Sequence, residues 1–244
     1  MNPVLRDSLD VFFGEKQGLP AYFYLLVTLA LIEFLALCAP FLGAHTWSGA
    51  GNLVKVVSSI AVLLTIYFAL RVANREYAPS RFKPLAHWWN ERRQPVGVVA
   101  TGQLAFLATH VAGSLLLIAP LLAWAAAISR VTPAGLAAML ALIPFYAICY
   151  GVWGLAALAL WEGRQDDREL ILRCGIGVVA LVAMAIYLPL NPVAYLLSLL
   201  AHEEPAPFTI GPLRWPADVF HFAFHLVLGG AGVAVHRWAL ARSR

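Results

Sequence analysis

Residues 71–95 read RVANREYAPSRFKPLAHWWNERRQP, and long apolar runs lead into this stretch and out of it. The segment holds six of the chain's seventeen Lys and Arg residues, opposed only by Glu76 and Glu91. A charged, aromatic-rich interruption of this kind reads as a loop between membrane spans. Working outward, the 244-residue chain is 61% hydrophobic and 12% charged. Soluble domains are typically about 45–50% apolar and about 25% charged. A mean hydropathy of +0.76 exceeds what a domain of this size can bury in its own core. The runs are apolar throughout and do not alternate, which excludes a lipid-facing β-barrel. The expected fold is an all-α integral membrane protein.

Six spans follow from apolar runs long enough to cross hydrocarbon. They cover roughly 21–43, 53–73, 98–124, 134–161, a fifth run after the charged loop EGRQDDRELILR (162–173), and 218–240. Thr132-Pro133 reads as a helix start. Pro189 and Pro192 in LPLNP lack donors and predict a kink or break in the fifth run, with VAYLLSLL continuing it to His202. Before the first span, residues 3–13 place Leu5, Leu9 and Phe12 at helical spacing opposite Arg6, Asp7 and Asp10. That pattern predicts a short amphipathic helix at the lipid interface, within an interfacial segment 1–20. No cleavable signal peptide is expected, because charges interrupt the first twenty residues. The whole of 1–244 reads as one domain.

Fourteen of the seventeen Lys and Arg residues fall at the N-terminus, in the 71–97 segment, in the fourth-to-fifth loop or at the C-terminus. The excess marks the cytoplasmic side, so both termini are expected inside. Lys55, Arg130 and Arg214 lie on the other side. This placement explains the net charge of +4 without nucleic acid. Alanine-, leucine- and arginine-heavy usage points to a bacterial inner membrane. Cys38, Cys149 and Cys174 share no ligand spacing and read as small core residues.

The layout resembles the permease subunits of type-2 ATP-binding-cassette (ABC) exporters. Asn2-Pro3-Val4, Glu76 after the second span, the hairpin from Ala119-Pro120-Leu121 to Val131-Thr132-Pro133-Ala134, and Leu190-Asn191-Pro192-Val193 carry the resemblance. The glycine-threonine pair that follows the acid in that family is absent here, and Pro79 and Pro84 interrupt the stretch. The resemblance implies a catalytically silent subunit that works as a homo- or heterodimer embedded in lipid. An ABC-type ATPase partner would supply ATP and Mg, since this chain has no GxxxxGK[ST] loop. It also implies that residues 71–97 form a cytoplasmic coupling segment. Glu76, Tyr77, Arg81, Phe82, Lys83, Leu85 and Trp88 are the expected contacts with that partner. Short outer helices are implied within residues 193–217.

Other residues carry chemistry of their own. Glu33 lies midway along the first span, where comparable ionisable groups cost about 2.5–3.5 kcal/mol to insert. His110 is similarly central in the third span. Both are candidates for a substrate path, or for hydrogen-bonded interface residues that pair with each other. His221 and His225 are four apart on one helix face, and His202, Glu203 and Glu204 precede them. This set could hold a metal or haem, so a membrane metalloenzyme or haem protein is the alternative function. An aromatic-histidine interfacial face is the plainer reading of the same residues. The run Gly229-Gly230-Ala231-Gly232 predicts close helix packing.

Overall fold

Backbone surrounded by hydrocarbon must satisfy every N–H and C=O within its own segment, and helices do so. The computed structural model describes residues 1–38, 52–78, 84–161, 165–210 and 212–242. Among them run α1 (Pro3–Leu9), α2 (Leu19–Cys38), α3 (Leu53–Ala73), α4 (Leu85–Glu91) and α5 (Val96–Ile128). There follow α6 (Pro133–Leu160), α7 (Gln165–Ile186), α8 (Pro192–Leu200), a hairpin of β1 (Phe208–Ile210) and β2 (Leu213–Trp215), and α9 (Ala217–Arg242). Helices α2, α3, α5, α6, α7 and α9 are long and apolar enough to cross a membrane. Among the described residues the framework is therefore all-α, with six helices of that kind.

The core is centred on α3, which packs against α2, α5, α6 and α8. Val57, Ala61 and Val62 of α3 are fully buried. Close approach depends on missing side chains. A Cβ on Gly154 of α6 would stand 2.6 Å from the Leu70 carbonyl oxygen of α3. On the other side, α9 reaches α6 through the predicted glycine run: a Cβ on Gly232 would lie 2.7 Å from the Val152 side chain. Gly229 and Gly232 thus pack within the chain, while a Cβ on Gly230 would meet nothing within 4 Å.

Helix α5 has 33 residues, about 50 Å of rise against a hydrocarbon core of about 30 Å. Its first turns receive α1, which docks there. Asn2 caps α1 by accepting from the Val4 and Leu5 amides, and its Nδ2 donates to the Val98 carbonyl at 2.9 Å. The inward stripe of this segment is Val4, Ser8, Val11 and Phe12, while the expected Leu5 and Leu9 lie only half-buried at its edges. The difference arises because the segment packs on protein, with Val4 seated against Gly102 of α5. A π-helical turn over Asp10–Gly14 delivers Phe12 into a ring cluster with Phe13, Tyr22, Tyr77, Phe106 and His110.

One boundary differs from the sequence reading. The charged stretch 162–173 is helical from Gln165 onward. Asp166 and Asp167 sit in the first turn of α7, where the helix dipole favours acids. Arg173 bonds Glu169 one turn back at 2.5 Å, and Arg173 also reaches Tyr67 of α3. Downstream, the break at LPLNP is complete. Tyr187 is extended, Leu188–Leu190 form a single 3₁₀ turn, and Asn191 caps a separate α8 by accepting from the Val193 and Ala194 amides. Within the stretch where short outer helices are implied lie one such helix, α8, whose Tyr195 and Leu196 are buried, and the antiparallel hairpin, which pairs Phe208 with Trp215. Helix α7 packs only lightly on α6 and on the 3₁₀ turn and leaves Leu170, Leu181 and Ile186 more than half exposed.

Candidate functional site

The basic segment is built against a wall. Helix α3 is capped at Asn74, the chain has no regular structure over Arg75–Ala78, and α4 starts after Pro84. Tyr77 and Leu85 point inward, and the Leu85 amide donates to the Tyr77 carbonyl at 2.9 Å. With Trp89 they join Val4, Phe12, Val99 and Phe106 in a second apolar cluster. Burial pushes the Tyr77 hydroxyl pKa above its usual value, with Arg75 and Arg71 pulling against it. Gln17 ties the segment to the N-terminal arm by donating to the Ala78 carbonyl.

Of the expected contact residues, Glu76 is exposed and Trp88 is half-buried. The Arg92 guanidinium lies over the Trp88 ring at 4.1 Å. Tyr77 and Leu85 instead hold α4 in place from behind. Arg81, Phe82 and Lys83 lie outside the described residues. His87, Asn90 and Glu91 complete the outward surface of α4, and the helix stops at Arg93, whose φ of 49° lies in the left-handed region. Trp89, the buried member of the tryptophan pair, was not among the expected contact residues. Its only signal was helical spacing from Leu85.

Glu33 and His110 are both buried, but they are not brought together. His110 Nδ1 lies 3.1 Å from the Tyr22 hydroxyl. Glu33 stands eleven residues after Tyr22 on α2, about 16 Å along the axis. Neither Glu33 oxygen finds a hydrogen-bond partner among the described residues.

The paired histidines face inward onto α6. Helices α6 and α9 run side by side, and an offset of 75 residues sets Tyr146 against His221 and Tyr150 against His225. His221 donates from Nδ1 to the Pro189 carbonyl at 2.6 Å and accepts at Nε2 from Tyr146 at 2.7 Å. His225 donates from Nδ1 to the His221 carbonyl at 2.9 Å and meets the Tyr150 hydroxyl at 3.4 Å. Those carbonyl bonds fix both rings as the Nδ1–H tautomer. The partners Tyr146, Tyr150, Tyr195 and Asp218 were missed, although tyrosines at i and i+4 on α6 mirror the histidine spacing on α9.

His202, Glu203 and Glu204 are exposed beyond the end of α8, while His221 and His225 are fully buried. Among the described residues no group of three or more His, Cys, Asp and Glu is gathered as a metal site. Cys149 is buried as expected, but Cys174 is exposed on α7, because that helix packs so lightly. Comparison of the chain with protein-family models, with curated proteins and with solved structures finds no match.

Proposed function

We propose that this chain is the membrane permease subunit of an ABC transporter of the type-2 exporter kind, driven by ATP that a separate subunit hydrolyses. It works as a dimer in the cytoplasmic membrane of a bacterium, with both termini and α4 inside. The observation that carries the reading is the construction of α4. This short helix follows the second span, turns a charged surface outward, and is braced from behind by Tyr77, Leu85 and Trp89 against α1 and α5. Such a helix transmits load: a push on Glu76, Trp88 and Arg92 passes through a packed cluster into the long α5 and not into a yielding loop. Closure of the ATPase pair would then rock the spans as rigid bodies. The exposed apolar sides of α2 and α7 supply surface for the second permease subunit and for lipid.

The test is co-purification with an ATP-hydrolysing subunit in membrane nanodiscs, followed by Glu76→Ala and Trp88→Ala. The expected result is a complex whose hydrolysis continues while its dependence on transport is lost. Hydrolysis that stays fully coupled in both variants, or absence of any ATPase partner, overturns the proposal.

A further inference from the structure

Helix α7 touches α6 without filling the gap between them, and the cavity left there measures about 270 Å³. Tyr150, Trp153, Ala157 and Trp161 of α6 line it, a set that recurs at helical spacing on one face. Leu172, Gly175, Ile176 and Val179 line it from α7, again on one face, and Leu228 of α9 adds a third wall. The gap follows from side-chain size. Gly175 stands midway along the α7 face, where a Cβ would meet nothing within 4 Å. Ala157 stands between two tryptophans on the α6 face.

The wall offers a polar ligand little. The Tyr150 hydroxyl is engaged with His225 Nε2, and Trp153 Nε1 donates to the Leu228 carbonyl at 3.2 Å. A buried water needs several polar partners, whereas a dry apolar cavity of about 150 Å³ already takes up small apolar molecules. The space also runs along the helices. Tyr150 to Trp161 covers about 16 Å of rise, and Ile171 to Val179 about 12 Å. A narrow slot of that length suits a chain better than a compact molecule. Its entrance is lateral: Trp161, Ile171 and Val179 belong to the wall, yet each is more than a third exposed. Both α6 and α7 are long and apolar enough to cross a membrane, and Ile171–Val179 is the middle of α7. Hydrocarbon is what meets an opening there.

We propose that this slot holds the acyl tail of a membrane phospholipid as a resident ligand. The inference rests on α6 and α7 crossing the membrane and not on the transport reading. Moving a tail from bilayer to slot gains no hydrophobic energy, since both are apolar. Dispersion holds it: an empty slot leaves its lining atoms without neighbours on one side, and a tail supplies them.

The experiment reconstitutes the full-length chain in phosphatidylcholine vesicles doped with a phospholipid that carries a photoactivatable diazirine midway along one acyl chain. After illumination and proteolysis, adducts on residues 150–161 and 171–179 are compared with adducts at Leu116 and Val227. Those two side chains are 77% and 71% exposed and meet tails only as solvent. Labelling per residue in the slot should exceed theirs by about tenfold, the equivalent of about ten extra carbon contacts. Gly175→Leu and Leu172→Trp fill the slot from α7, and each should return its labelling to the level of Leu116. Slot labelling no higher than at Leu116 and Val227 in the native chain overturns the proposal, as does an excess unchanged in both variants. Should one variant fail to fold, the other decides, and should both fail, the native excess decides alone. A further arm adds unlabelled free fatty acid. Loss of the excess at a small mole fraction of it assigns the slot to a free fatty acid and overturns the phospholipid as its source. Absence of slot labelling together with a Cys174-to-Cys174 cross-link between chains gives α7 to a second copy and likewise overturns the proposal.

Discussion

The Tyr195 phenol donates to Oδ1 of Asp218 at 2.8 Å. Its ring meanwhile lies flat on His221, with centroids 3.8 Å apart. One side chain of α8 thereby holds both the first turn of α9 and the first residue of the histidine–tyrosine network. This contact compensates for the backbone break that the prolines impose just upstream.

Replacing Tyr195 with Phe keeps the stack and removes the hydrogen bond, leaving the Asp218 carboxylate one donor short. The expected loss is about 1–3 kcal/mol of stability. Denaturant titration in detergent measures it. Tyr195→Phe as stable as the native chain would mean that solvent already satisfies Asp218.

Alkali should weaken the extramembrane ends before it harms the spans. Burial raises the pKa of Tyr77, and burial followed by the Asp218 hydrogen bond raises that of Tyr195. In both cases the folded chain keeps a phenolic proton that the unfolded chain releases near pH 10, the approximate value of a free tyrosine. Their contribution is therefore complete below about pH 10 and declines as pH rises beyond it. Melting temperature followed from pH 8 to 11 should fall at the alkaline end, and less steeply in Tyr77→Phe.

Gly154→Ala should pry α6 from α3, because the new methyl meets the Leu70 backbone oxygen, which cannot swing aside. A cost of about 1–3 kcal/mol is expected. Gly175 of α7 has nothing within 4 Å of a Cβ, so Gly175→Ala should stabilise by about 0.5–1 kcal/mol through helix propensity. Thermal melts of the two variants that move in the same direction would contradict the packing described for α6.

Glu33→Leu removes a buried carboxyl without partners among the described residues and should raise stability by about 1–3 kcal/mol. Paired with a transport assay, the variant separates the two readings of this residue. Stability gained with transport lost marks a substrate-path group, and stability gained with transport intact marks a structural one.

Asn2→Ala and Asn191→Ala both delete helix N-caps, each worth about 1 kcal/mol. Asn2 should cost more, since its Nδ2 also donates to Val98 of α5. Denaturant midpoints of the two variants give the comparison.

Much of the fold was legible along the chain. The second span matches α3 at both ends, Thr132-Pro133 opens α6, and the prolines of LPLNP end α7. The charged start of α7 was not legible, because acids and bases at i and i+4 support a helix as readily as they populate a loop. Within the site, Glu76 and the paired histidines were visible as residue types, but their partners were not. Tyr146 finds His221, and Asn2 finds Val98, only across separations that local pattern does not encode.

The sequence alone determined the six long apolar helices seen among the described residues and where most of them begin and stop. Hydropathy, missing donors and cap chemistry act within a few residues of the backbone they govern. Tertiary structure alone decided which side of each helix meets protein, why Tyr77 and Trp89 turn inward while Glu76 turns out, and that a cavity opens between α6 and α7. A helix that is apolar all round carries no polar stripe to mark its outward face. The choice therefore falls to shape, to glycines that admit a neighbour, and to polar groups that must find one another away from water.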